Sequence, residues 1–155
     1  MRSHEPPDDG CPFCRYRSTG WTEFPMEELH RDPEVFVKLN PKQWPNNRGD
    51  LLVIPIEHHE NVYELPSELG TPIQRAVQVA ASALEDALGC DGLSTRQHNE
   101  PAGNQDVWHS HVRVFPRWSD DGLYGSRGGL ADATELRQLA ERLRAVWPAD
   151  RSAGA

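Results

Sequence analysis

Gln105-Asp106-Val107-Trp108-His109-Ser110-His111-Val112-Arg113-Val114-Phe115-Pro116-Arg117 is the stretch on which the fold turns. From Trp108 to Phe115 it reads as a strand, in which successive side chains point to opposite faces. His109, His111, Arg113 and Phe115 then share one face, and Trp108, Ser110, Val112 and Val114 the other. Neighbours along a face stand about 6.5–7 Å apart, at roughly 3.3 Å of rise per residue. Two imidazoles and a guanidinium in a row offer a phosphate both charge-assisted donors and a nitrogen nucleophile. An exposed polar strand face has the same pattern.

Immediately upstream, Asn99-Glu100-Pro101-Ala102-Gly103-Asn104-Gln105-Asp106 is a glycine-containing loop. Such a loop can aim backbone N–H groups and amide side chains at an anion, and it can equally be an ordinary hairpin connection. Near the start, Cys11-Pro12-Phe13-Cys14 has half the spacing of a zinc site. No second CxxC follows, so the missing ligands of such a site are histidines, with His58 and His109 best placed. A redox pair is the competing reading, but a redox CxxC usually opens a helix after a strand.

Around these motifs the chain alternates Val35, Val37 and Leu39 with Phe36 and Lys38, a half-buried strand that Asn40-Pro41 ends. Trp44 to Gly49 is a loop, and Leu51–Pro55 is an apolar run expected to be covered on both faces. Thr71-Pro72-Ile73-Gln74 carries the signals of a helix start, with an earlier start near Ser67 as the alternative. Ile73, Val77, Ala80, Leu84 and Leu88 give the helix its face, and Gly89 its end. A strand from Leu93 to Asn99 follows. A second helix runs from Asp132 to Trp147, capped by Asp132 and Glu135 and stopped by Pro148. Helices and strands do not alternate regularly, so the class is α+β with an antiparallel sheet. The expected organisation is a disordered tail over residues 1–10, one domain over 11–147 and a C-terminal tail over 148–155.

Composition narrows the function. The 155 residues carry 16 basic and 24 acidic side chains, a net charge of −8. That disfavours a nucleic-acid polymer or an anionic membrane as partner. It leaves room for a phosphorylated small molecule, which needs only a local positive site. No apolar run approaches the roughly 20 residues of a membrane helix, and the first ten residues lack the apolar core of a secretory signal. Three cysteines, an odd count, fit a cytoplasmic chain better than a disulfide scaffold.

In this order, Cys11-Pro12-Phe13-Cys14, Phe36-Val37-Lys38-Leu39-Asn40-Pro41, Leu52-Val53-Ile54-Pro55-Ile56-Glu57-His58, the loop of Asn99, Gly103, Gln105 and Asp106, and His109-Ser110-His111 resemble the histidine triad family of nucleotide hydrolases and transferases. The resemblance covers residues 11–147. It implies an antiparallel sheet of about five strands with a long central helix and a C-terminal helix, in a homodimer. It makes His111 the nucleophile that attacks an α-phosphate and becomes nucleotidylated. The substrate it implies is a purine nucleotide, either a nucleoside phosphoramidate or a dinucleoside polyphosphate. It assigns a structural zinc to Cys11, Cys14, His58 and His109. Asn40 is matched to a ribose-binding position, and Asn99, Gln105 and Asp106 to positions near the phosphate and leaving group. Two positions depart from the pattern. Arg113 stands where a third histidine is usual; a guanidinium cannot shuttle protons near neutral pH, but it can clamp phosphate oxygens. Gly49-Asp50 stands where Gly-His is common. Arg113 therefore leaves three outcomes for an enzyme, a hydrolase with an arginine clamp, a transferase to an acceptor other than water or a specialised enzyme for an unusual nucleotide, and a nucleotide-binding protein that has lost turnover is the alternative to all three.

Overall fold

The computed structural model describes residues 3–5, 10–20 and 22–149. Helix α1 (Pro12–Thr19) leads into strands β1 (Glu28–Arg31), β2 (Val35–Leu39), β3 (Lys42–Gln43) and β4 (Leu51–Pro55). Then come helix α2 (Gly70–Leu88), strands β5 (Gly92–Gln97), β6 (Val112–Arg117) and β7 (Gly129–Leu130), and helix α3 (Ala133–Val146). The main sheet has five strands in the order β1-β2-β4-β6-β5, with every pairing antiparallel. β3 and β7 form a separate short ladder.

One face of the sheet carries the main core. Val35, Val37, Leu39, Leu51, Val53 and Val114 project from the strands toward α2, which answers with Ile73, Ala76, Ala80, Ala83 and Leu84. The alanines let the helix lie close to the sheet. Leu136, Leu139, Ala140 and Leu143 of α3 close the same cluster. Gly49 is required where this core meets β4. Its φ is +122°, and a Cβ there would stand 2.8 Å from Leu88 Cδ1 and 2.9 Å from Leu84 Cδ2.

The other face is covered at one end by α1, with Cys11, Phe13, Phe36, Leu52 and Ile54 forming a second cluster. For this reason β2 is buried along its whole length, not half-buried as alternation implies. Helix α1 was not legible in the sequence. Cys11 caps it, with Sγ accepting the N–H of Cys14, Pro12 stands in its first turn, and Gly20 ends it in the left-handed region.

The helices otherwise fall close to expectation. α2 begins at Gly70, after a 3-10 turn at Ser67–Leu69, so the earlier start holds and Thr71 does not cap the helix. Asp132 does cap α3, accepting from the N–H groups of Thr134 and Glu135. Ser3, His4 and Glu5, expected within a disordered tail, are held in place: Ser3 Oγ and the His4 N–H both donate to the Glu60 carboxylate, at 2.6 and 2.8 Å. Residues 6–9 of that tail and residues 150–155 of the C-terminal tail lie outside the described residues.

Strand β6 is shifted from the predicted Trp108–Phe115. Its ladder with β4 runs from Leu51↔Val114 to Val53↔Val112 and stops. Two residues on, the same register would oppose Ser110 to Pro55, which has no N–H to donate. The Ser110 N–H turns instead to the His59 carbonyl at 2.6 Å. His109 and His111 thus precede the strand, yet both rings stay on the α1 side, edge-on to Phe13 at 5.5 and 5.7 Å between centroids.

Candidate functional site

On the face opposite α2, cross-strand register places Lys38, Leu52, Arg113 and Arg96 in one row across β2, β4, β6 and β5. His111 lies at one side of this row. Asn40 and Asp50 lie at the other, joined by the Asn40 N–H donating to the Asp50 carbonyl at 2.9 Å. Lys38, Leu52, His111 and Arg113 form the floor of a cleft of about 490 Å³. Phe24, Met26, Pro41 and Trp44 line its walls, and His98, Asn104 and Asp106 reach it from the loop before β6. The volume suits a nucleotide-sized ligand.

The His111 ring is fixed in one orientation at the cleft. Its Nδ1–H donates to the His109 carbonyl at 2.9 Å, which fixes the tautomer and leaves the Nε2 lone pair for the cleft. Burial holds the ring below the usual histidine pKa, against the opposing pull of the His109 carbonyl and Asp106. The neutral, nucleophilic form is therefore favoured at neutral pH.

The two departures from the family pattern meet in space. Arg113 donates through Nε and Nη2 to both oxygens of Asp50, and Asn40 Nδ2 donates to Asp50 Oδ2 at 3.0 Å. Asp50 is fully buried, and burial pushes its carboxyl up while the Arg113 guanidinium pulls the other way. The pair keeps Arg113 aimed along the floor, with the Trp44 ring 5.7 Å from its guanidinium carbon. Replacing Arg113 with Met is expected to cost about 3 kcal/mol of stability in urea unfolding, because it strands a buried carboxylate. Asp50→Asn combined with Arg113→Met is expected to recover most of that loss. Equal losses in the single and double variants would refute the coupling.

The remaining expected residues divide. Asn40 lines the cleft, although its Oδ1 also accepts the Lys42 N–H at 3.1 Å. Asp106 stands at the rim, 3.6 Å from Lys42 Nζ. Asn99 and Gln105 do not line the cleft and bond to backbone instead. Asn99 Oδ1 accepts the Val62 N–H at 2.8 Å. Gln105 accepts the Glu100 N–H and donates to the carbonyls of Glu60 and Val107. Gln105 thereby holds a loop in which Glu100 and Asn104 have φ of 63° and 66°. Trp118 and the segment Asp121–Gly125 sit at the far end of β6, where Asp121 accepts hydrogen bonds from Arg117 and Asn47. Phe13, Lys38, Leu52 and Trp44 were not recognised as cleft residues. The available signal was Lys38, the one charge in an otherwise apolar strand.

Behind His111, the ligand atoms of Cys11, Cys14, His58 and His109 all lie within 4.8 Å of one another. Cys11 Sγ is 3.3 Å from His109 Nδ1, and Cys14 Sγ is 3.3 Å from His58 Nδ1 and 3.7 Å from His109 Nδ1. A tetrahedral zinc ion sets sulfur–nitrogen edges of about 3.5 Å, so the donors and their spacing fit one. The outer partners fit as well. His109 Nε2–H donates to the Pro55 carbonyl at 2.9 Å, leaving Nδ1 free to ligate, and His58 Nε2 faces the Glu5 carboxylate at 3.2 Å. Burial pushes the Cys11 thiol up to about 12 and the His109 ring down to about 4.

A five-stranded antiparallel sheet with a His-x-His pair entering one strand, opening on a cleft and backed by a Cys₂His₂ cluster, is the architecture of nucleotide-binding hydrolases and transferases. The chain matches the HIT domain over residues 22–120 and belongs to that family. It is 31% identical over 118 residues to protein hit of Bacillus subtilis, covering 76% of this chain and 78% of that one. It is 26% identical over 133 residues to the adenylylsulfatase HINT3 of Arabidopsis thaliana, covering 86% of this chain and 65% of that one. The crystal structure of a Zn-bound histidine triad family protein from Mycobacterium smegmatis superposes with a TM-score of 0.73 at 28% identity, covering 88% of this chain and 91% of that one. No helix among the described residues is long and apolar enough to cross a membrane.

Proposed function

We propose that the protein is a nucleotidyl hydrolase or transferase working through a covalent intermediate at His111. His111 Nε2 attacks the α-phosphorus of a nucleoside phosphoramidate or dinucleoside polyphosphate, here of a purine. The bond from phosphorus to the leaving amine or phosphate breaks, and its electron pair leaves with that group. Water or another acceptor then takes the nucleotidyl group and frees the imidazole. The observation that carries this reading is the neutral, tautomer-fixed ring of His111 on the cleft floor beside Arg113.

Arg113, held by Asp50, uses its remaining N–H groups as an oxygen clamp on the transferring phosphoryl group. Asn40 serves the ribose and Asp106 the leaving amine, while Asn99 and Gln105 act by shaping the phosphate loop. Cys11, Cys14, His58 and His109 hold a structural zinc, which ties α1 to the sheet when bound. The unpaired edge of β5 supports a homodimer, and three free thiols, two of them in the ligand cluster, support a cytoplasmic setting. The arginine at position 113 also supports transfer to an acceptor other than water, since it supplies no proton relay for hydrolysis.

The test is acid-quenched intact mass after mixing with nucleoside phosphoramidates, dinucleoside polyphosphates and nucleotide sugars. The expected result is a mass increase of one nucleotidyl group with at least one substrate class. Turnover with no adduct at any time point would refute the covalent route.

A further inference from the structure

Lys38 is a cleft cation that the reaction above does not use. Lys38 is 5% exposed, on the floor, in a strand whose other side chains are apolar. Among the described residues, no carboxylate, hydroxyl or carbonyl meets its ammonium. Its described contact is the Phe13 ring, 5.8 Å from Nζ to the centroid. Burial without an anion draws its pKa down to about 8. The other floor cation, Arg113, is already neutralised by Asp50, and Lys42 at the rim faces Asp106.

The location of Lys38 is as telling as its lack of a partner. The phenyl ring it touches is the one that packs against His111. Lys38 and Arg113 are cross-strand neighbours of Leu52 on either side, so their backbones stand two strand spacings apart, about 10 Å. Both side chains are long enough to turn toward a ligand lying over Leu52. A buried ammonium without a counter-ion is costly in the empty protein, and an anion supplied by the ligand removes that cost.

We infer that Lys38 is a specificity-determining residue that binds a second anionic group of the substrate, beyond the phosphate clamped by Arg113. This rests on the nucleotide reading and narrows it. The preferred substrate is a nucleoside 5′-phosphoryl compound with a further phosphate or sulfate close by. That group belongs either to the leaving group or to the ribose, and Lys38 meets the same oxyanion chemistry in both cases.

Binding of three probes by calorimetry distinguishes these sources: AMP, ADP with its extra phosphate on the leaving side, and adenosine 3′,5′-bisphosphate with its extra phosphate on the ribose. The intact protein is expected to bind one of the latter two at least about tenfold more tightly than AMP, the scale of one charge-assisted contact. Lys38→Met, which fills the same space without charge, is expected to reduce that preference to within about threefold while AMP affinity stays within the same factor. Lys38→Arg is expected to keep the preference, and Lys38→Met to melt no lower than the parent. A preference that persists in Lys38→Met, or its absence in the parent, overturns the assignment while leaving the nucleotide reading intact. Failure of all three probes to bind overturns both.

Discussion

His111→Asn is expected to reduce turnover by roughly 10,000-fold or more, the scale of losing a covalent nucleophile. The loss should appear in kcat more than in KM, because Lys38, Leu52 and Arg113 still form the cleft floor. Asn is chosen because its amide can occupy part of the space of a side chain that is only 7% exposed. The nucleotidyl adduct should vanish from the acid-quenched mass spectrum in step with the rate. Retention of both rate and adduct would place the nucleophile elsewhere, with His98, the other cleft imidazole, as the next candidate.

If the Cys₂His₂ cluster holds the proposed zinc, its removal is the second large effect. Extraction with a strong chelator, or Cys11→Ser, is expected to lower stability by about 5 kcal/mol, the size range reserved for losing a metal centre. For a domain of this length that is a fall in thermal midpoint of roughly 10–20 °C. The reason is topological. The ligands join the start of α1 to the segment after β4 and to the entry of β6, which are far apart in the chain. The second core cluster is small, and Cys11 and Phe13 are part of it. Metal analysis near one equivalent per chain and a midpoint that returns on adding zinc would support the assignment. A chelated protein with an unchanged midpoint would exclude a structural metal there.

Much of the architecture was legible because the apolar pattern of several elements had one physical reading. Leu51–Pro55 could only be a doubly covered strand, and α3 carried both its face and its cap at Asp132. Helix α1 was hidden because its apolar side chains are few and its capping group is a thiol, not a hydroxyl or carboxylate. The start of β6 was misplaced because alternation continues through His109 and His111, and the limit is set by Pro55 on a different strand. The Cys₂His₂ cluster was legible as four residues of two types, a CxxC pair and two histidines, that the fold brings together. The Asp50–Arg113 pair was not, because each residue looked like a separate loss of a histidine. Their meeting depends on the β4–β6 register, which one chain does not display. Lys38 was similarly treated as a polar position on an open face until α1 was seen to cover that face.

His109 faces two ways. Its ring stands among the thiols, and its carbonyl accepts the hydrogen bond from the His111 ring two residues later. One residue therefore links the cluster to the orientation of the His111 ring through a single peptide unit. On the proposed mechanism, durability and speed are then tied together, since drift in the Cys₂His₂ cluster also moves the carbonyl that orients His111.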